Sequence, residues 1–314
     1  MKQKNVENKV PIYKLNTTED IMKYYDEWGN KYDQDMVDWN YTAPKETVNA
    51  FKKYAPNKDI TIFLWVLKVG ALINAAYLWN SFGIASSVHL IIPAQVFFLI
   101  SIFRCLFPVS YPRSTVFHNS IFSSVFLTRL LATFSEIAMI YQLSFLMRLL
   151  NTKEVILIDT LSWIMVIQVI ISQFFVWSAI IFQRSIWYFY EEVGWFIIYA
   201  INTVVSIYIY FTFLDFDGRE LLLYLNIIFG LGYIPWQFFH LKGLLRVGKR
   251  HELERSPITG MSWRLFNIGI NNSIIKKHHS NRSDDWGGVI GITWMFGYWA
   301  VIMPAWLYTI IKIG

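Results

Sequence analysis

Two charged residues, Arg129 and Glu136, stand inside the apolar run "SIFSSVFLTRLLATFSEIAMIYQLSFL". A charge near mid-bilayer costs roughly 2.5–3.5 kcal/mol on translocon scales, so each needs a polar partner. Seven residues at 100° each bring the two onto nearly one helical face, ~10 Å apart along the axis. That rise is too long to guarantee a direct pair. It suits a polar ligand gripped between them, or a separate partner for each on a neighbouring helix.

Other ionisable residues point to the same level. Lys68 lies within the first apolar run and Arg104 at the end of the second. "QRSIWYFYEEVGW" supplies Arg184, Glu191 and Glu192 before the fifth. The acidic pair is expected at the start of that helix, where the positive end of the dipole favours carboxylates. Lys68, Arg104, Arg129, Glu136 and Glu191 or Glu192, with Arg184 nearby, would outline a polar cavity open to one side. Its basic members suit a carboxylate, a phosphate or an anionic head group. The structural alternative is that Arg129 clamps a fifth-helix glutamate and Lys68 snorkels to the interface.

What positions these residues is a bundle of membrane helices. The chain is 55% hydrophobic and 16% charged, against about 25% charged in soluble domains. Apolar segments at roughly 60–82, 88–107, 121–147, 155–182, 193–214, 221–245 and 287–313 each reach the ~20 residues a bilayer requires. They must be helices, because a backbone in lipid has to satisfy its own hydrogen bonds. The fold expected is therefore all-α, with seven transmembrane helices in 60–314. A polar, helical region at 1–59 precedes them and has no signal-peptide pattern.

Charge orients the bundle. Of the 28 Lys and Arg residues, 22 fall on the side shared by the N-terminal region and the connections after spans two, four and six. Four fall opposite. The positive-inside rule then predicts a cytoplasmic N-terminus and an outside C-terminus. The cytoplasmic loop 246–286 opens with a basic continuation of span six at Lys242, Arg246 and Arg250. Further on, Trp263, Phe266, Ile270 and Ile274 recur at helical spacing. That helix either lies in the inner interface, drawn to anionic lipids, or packs on the span ends.

Several classes drop out. One cysteine, Cys105, permits no internal disulfide and no cysteine-based metal site. The six histidines show no HExxH or HxxxH spacing, so no metal or cofactor is expected. The basic residues follow topology and form no nucleic-acid stripe.

Residues 24–63, "YYDEWGNKYDQDMVDWNYTAPKETVNAFKKYAPNKDITIF", carry a second signal. Tyr25, Asp26, Trp28, Tyr32, Asp33, Trp39, Tyr41, Ala43, Pro44 and Pro56 resemble the N-terminal segment of a class I methyltransferase family dependent on S-adenosylmethionine. The resemblance implies an inherited or fused leader. The family's glycine-rich cofactor loop does not follow, since the chain continues into "LWVLKVGALINAAYLW".

Three functions remain. The leading one is binding, with or without translocation, of a small anionic or zwitterionic molecule or lipid head group in the cavity. The second is an enzyme, either lipid-modifying at the same carboxylates or a methyltransferase-derived fusion. The third is a structural membrane subunit whose polar residues lock helices together.

Overall fold

The computed structural model describes residues 59–213, 218–254 and 263–314. The methyltransferase-like segment up to residue 58, and with it nearly all of the polar region, lies outside the described residues. The chain divides into two units, Met1–Asn57 and Lys58–Gly314, and all the helices named below belong to the second.

The protein is an all-α, multi-pass integral membrane protein. Six unbroken helices are α1 (Thr61–Ser81), α2 (Val88–Leu106), α3 (Val125–Leu150), α4 (Ile156–Phe182), α5 (Ile186–Thr212) and α6 (Glu220–Glu254). A short α7 (Trp263–Ile275) follows. The seventh span is α8 (Gly288–Trp294), a π-turn (Met295–Ala300) and α9 (Ile302–Ile313). Seven of these stretches are long and apolar enough to cross a bilayer. Each of the first five helices packs on the next in sequence, and the seventh span seats on α1 and α2.

Two helix starts differ from the hydropathy reading by more than one residue. The third helix begins at Val125, because the Ser124 side chain accepts from Leu127 N at 3.1 Å and caps it. The fifth begins at Ile186, well before 193. Glu191 and Glu192 therefore lie beyond its first turn, where the dipole contributes little. Partners on other helices hold them instead. Their charge lowered the local hydropathy and hid the helix from a composition reading.

The break in the seventh span has a chemical cause. Pro304 has no N–H for the carbonyl of Ala300 and its ring crowds that turn. The helix widens, and Val301 N bonds Phe296 O at 2.9 Å, five residues back. The Trp299 carbonyl accepts from Asn74 Nδ2 on α1 at 2.9 Å. Asn74 is fully buried for this purpose. Gly70 lets α1 come this close, since a Cβ there would collide with Ala300. Lipid gives no hydrophobic drive between helices, so such hydrogen bonds and small-residue contacts hold the bundle together.

The connections at one membrane end are tied. β1 (Val109–Ser110), β2 (Thr115–Val116) and β3 (His278–His279) form a three-stranded sheet in that order, antiparallel then parallel. Asp285 accepts from Arg113 Nη1 at 2.6 Å and from Ser280 Oγ at 2.7 Å. These bonds, led by that from Ser280, hold its carboxyl down at about 2. The long connection is thereby fastened over the ends of α2 and α3.

Helix α7 packs on α4 and α3. Its inward face is small, at Gly269 and Ser273, and a Cβ on Gly269 would strike the Ile181 carbonyl. Trp263, Leu265, Ile268 and Ile275 are exposed. The helix both packs on a span end and presents apolar residues outward.

Candidate functional site

Arg129 and Glu136 pair directly. Arg129 Nη2 donates to Glu136 Oε2 at 2.7 Å and Nη1 to Oε1 at 3.2 Å, a two-pronged contact. The ~10 Å rise closes because a helical side chain leans toward the N-terminus. Glu136 thus reaches back, and the long arginine stem covers the rest. The pair also draws in Gln173 of α4, which accepts from Arg129 Nη2 and donates to Glu136 Oε2 at 3.1 Å. Glu191 Oε1 of α5 stands 3.8 Å from Arg129 Nη1. Arg129 is 2% exposed and Glu136 5%. The cluster ties α3, α4 and α5, so much of what the two residues offer is committed within the protein.

A cavity of about 300 Å³ opens beside this cluster. Of the seven sequence candidates, Arg104, Arg129, Glu136, Glu191 and Glu192 line it. Lys68 and Arg184 do not. Lys68 Nζ donates to the Leu106 carbonyl at 3.2 Å and to His118 Nε2 at 2.7 Å. It caps the open end of α2, a structural duty. Burial and the Lys68 charge push the His118 imidazole below its ordinary range, which keeps it neutral as the acceptor. Arg184 sits in the tight α4–α5 connection, where Gln183 takes a left-handed conformation with φ 53°.

The cavity has two chemically distinct corners. At one, the Arg104 guanidinium lies over the Trp299 ring at 4.1 Å and near Tyr298 at 5.8 Å. One Arg104 N–H donates to Tyr111 Oη at 3.3 Å. Arg104 Nε, Tyr298 Oη and Trp299 Nε1 are buried and find no hydrogen-bond partner among the described residues. The π-turn places Tyr298 and Trp299 side by side here. Two unused hydrogen-bonding groups beside a fixed cation that has an unused N–H of its own make this corner suited to an anion.

At the other corner stand Glu191 and Glu192, with Trp195, Tyr199 and Tyr233 along the same wall. Glu192 Oε2 accepts from Gln237 Nε2 of α6 at 2.6 Å. The same amide donates to the Glu192 carbonyl at 2.9 Å, which fixes that carboxylate's place. Carboxylates framed by aromatic faces suit a cation, above all an ammonium. Counted as charges, the lining sets three carboxylates against two guanidiniums.

Sequence reasoning missed Gln173, Gln237, Tyr298 and Trp299. Two polar residues in apolar runs, at 173 and 237, were a usable signal. The aromatic pair was not, because Trp and Tyr are frequent throughout this chain. Among the described residues, no three His, Cys, Asp or Glu side chains gather to hold a metal ion. No family model, no curated protein and no solved structure matches the chain.

Proposed function

We propose that this membrane protein binds a small zwitterionic molecule in the cavity bounded by α2, α3, α5, α6 and the π-turn. The anionic group of the ligand meets Arg104, Tyr298 and Trp299, and its ammonium group meets Glu191 and Glu192. One observation carries the reading: residues with buried, unpartnered polar atoms and two adjacent carboxylates line one hollow from different helices. Arg129 and Glu136 brace the site and shape its field.

Among the α3 residues that line the cavity, none lies beyond Glu136, and Met139, Leu143 and Leu146 beyond it are fully buried. The reading is therefore binding from one membrane face. The excess of basic residues at that end supports a cytoplasmic opening, with the N-terminus inside and the C-terminus outside. The exposed apolar residues of α7 and its neighbouring lysines fit contact with anionic inner-leaflet lipids.

Thermal unfolding of the purified protein in detergent tests the proposal, with phosphocholine, choline or inorganic phosphate added. Phosphocholine should raise the midpoint in a saturable way at concentrations where neither half does. Equal stabilisation by phosphate alone, or by none of the three, refutes the zwitterion reading.

A further inference from the structure

A second hollow of about 550 Å³ lies between α6 and the seventh span. Its α6 wall is Ile228, Phe229, Gly232, Tyr233 and Trp236, a single helical stripe. The facing wall includes Val289, Ile290, Thr293 and Gly297. Each side carries a glycine near its middle. A Cβ on Gly232 would meet nothing within 4 Å, and one on Gly297 would make ordinary contact with Ile302 at 3.5 Å. The seam closes at Phe229 against Trp306, ring centroids 5.0 Å apart, and at Trp236 against Trp294, 5.7 Å apart. Between those contacts α6 and the seventh span stand apart.

The rim of this cleft faces outward. Ile228 is 66% exposed and Val289 80%, at positions inside membrane-crossing helices. In helices long and apolar enough to cross a bilayer, such exposed residues suit contact with lipid. The cleft also adjoins the polar cavity: Tyr199, Tyr233, Trp294 and Tyr298 line both. One layer of these aromatic side chains separates the two hollows, and a ligand that spans both requires the rings to part. A polar site and an apolar groove back to back match a molecule with a charged head and a hydrocarbon chain.

We infer that the ligand is a lipid, whose head occupies the polar cavity and whose acyl chain lies in the cleft between α6 and the seventh span. The inference rests on the cavity reading and adds the class of ligand. Because the chain passes from bilayer to a similarly apolar groove, the cleft confers lateral access and selectivity for amphiphiles more than affinity.

The test uses the full chain in dodecyl maltoside, radiolabelled phosphocholine, and myristoyl lysophosphatidylcholine as competitor. Intact-complex mass spectrometry counts bound lysolipid independently. In the wild type, the lysolipid should displace phosphocholine saturably. Gly232→Phe and Gly297→Phe, which fill the cleft from opposite walls, should each raise the lysolipid midpoint at least tenfold. Phosphocholine affinity should stay within twofold. Undiminished lysolipid competition in both variants overturns the inference, as does a wild type in which lysolipid never displaces the head group. Failure of phosphocholine to bind, with one lysolipid still retained and lost on filling the cleft, would sink the zwitterion reading and keep the chain site. A change of oligomeric state on filling the cleft, with lysolipid binding intact, would make it an interface between copies and overturn the inference.

Discussion

Helix α3 carries two arginines, one toward each end, and they live very differently. Arg148 donates to Ser144 Oγ at 2.7 Å and to Ser162 Oγ at 2.8 Å, with its guanidinium 4.3 Å from the Trp163 ring. Its partners are neutral, and none of the described cavities includes it. Arg129 sits 2% exposed between two carboxylates and an amide, on the wall of a hollow. Both are charges in one apolar helix, so charge alone does not mark a site. What separates them is whether hydrogen-bonding groups next to the charge are left without partners, and whether a hollow adjoins them. On the wall of that hollow Arg129 spends both terminal nitrogens on Glu136 and Gln173, whereas Arg104 makes one side-chain hydrogen bond, to Tyr111, which is why the proposal gives the ligand to Arg104 and the bracing role to Arg129.

The largest effect should come from Arg129. Arg129→Leu leaves Glu136 and Glu191 buried without their cation, which in comparable cases costs about 3–5 kcal/mol. Unfolding in detergent should show that loss, and Glu136→Leu added to it should restore a large part. A single variant as stable as the wild type would show the pair to be slack and would erase the contrast with Arg148.

Arg104→Ala sharpens the comparison from the ligand side. It removes a charged donor to an anion, worth about 1.5–3 kcal/mol or some ten- to a hundredfold in affinity. Phosphocholine titration should show this. Stability should fall less than for Arg129→Leu, since the hydrogen bond to Tyr111 and the contacts with Trp299 and Tyr298 are lost without leaving a buried carboxylate stripped of its cation.

Arg148→Ala should cost about 1 kcal/mol in unfolding, the ordinary scale of a hydrogen-bonded exposed or half-buried cation. Phosphocholine affinity should not move. A loss of binding there would mean the two ends of α3 are coupled.

The smallest effect concerns the loop strap. Asp285 is held at about 2 in the folded chain, below its ordinary 3.8, first by Ser280 and then by Arg113. A lowered carboxyl stabilises the fold above its unfolded value, and that contribution fades as pH falls through the folded one. Amide protection factors in β2 and β3, corrected for the intrinsic pH dependence of exchange, should therefore stay unchanged from neutral pH down to about 4 and fall between about 4 and 2. In Asp285→Asn that step should vanish. A step at higher pH would assign the strap to another group.

The bundle was legible in the sequence because length and hydropathy are properties of the chain itself. Five of the seven candidates line one hollow for a related reason: a charge in an apolar run has few places to go. Lys68 and Arg184 were grouped with them by depth alone. Depth cannot tell a helix cap from a cavity wall, and the Leu106 carbonyl that claims Lys68 is distant in sequence. The direct contact of Arg129 with Glu136 was obscured because axial rise ignores how far two long side chains lean toward each other. The anion corner was hidden most deeply. It depends on a π-turn produced by Pro304 and steadied by Asn74, a tertiary event that no local pattern in "MFGYWAVIMPAW" announces.

The central claim is that one cavity recognises both signs of charge on one molecule. The most direct measurement is the ratio of affinities for phosphocholine and 3,3-dimethylbutyl phosphate, its isostere with carbon in place of the ammonium nitrogen, in wild type and Glu192→Gln. The account predicts a wild-type preference for phosphocholine of tenfold or more, falling to near unity in Glu192→Gln while affinity for the isostere holds or rises. Equal affinity for the two in the wild type, or a preference untouched by Glu192→Gln, would contradict it.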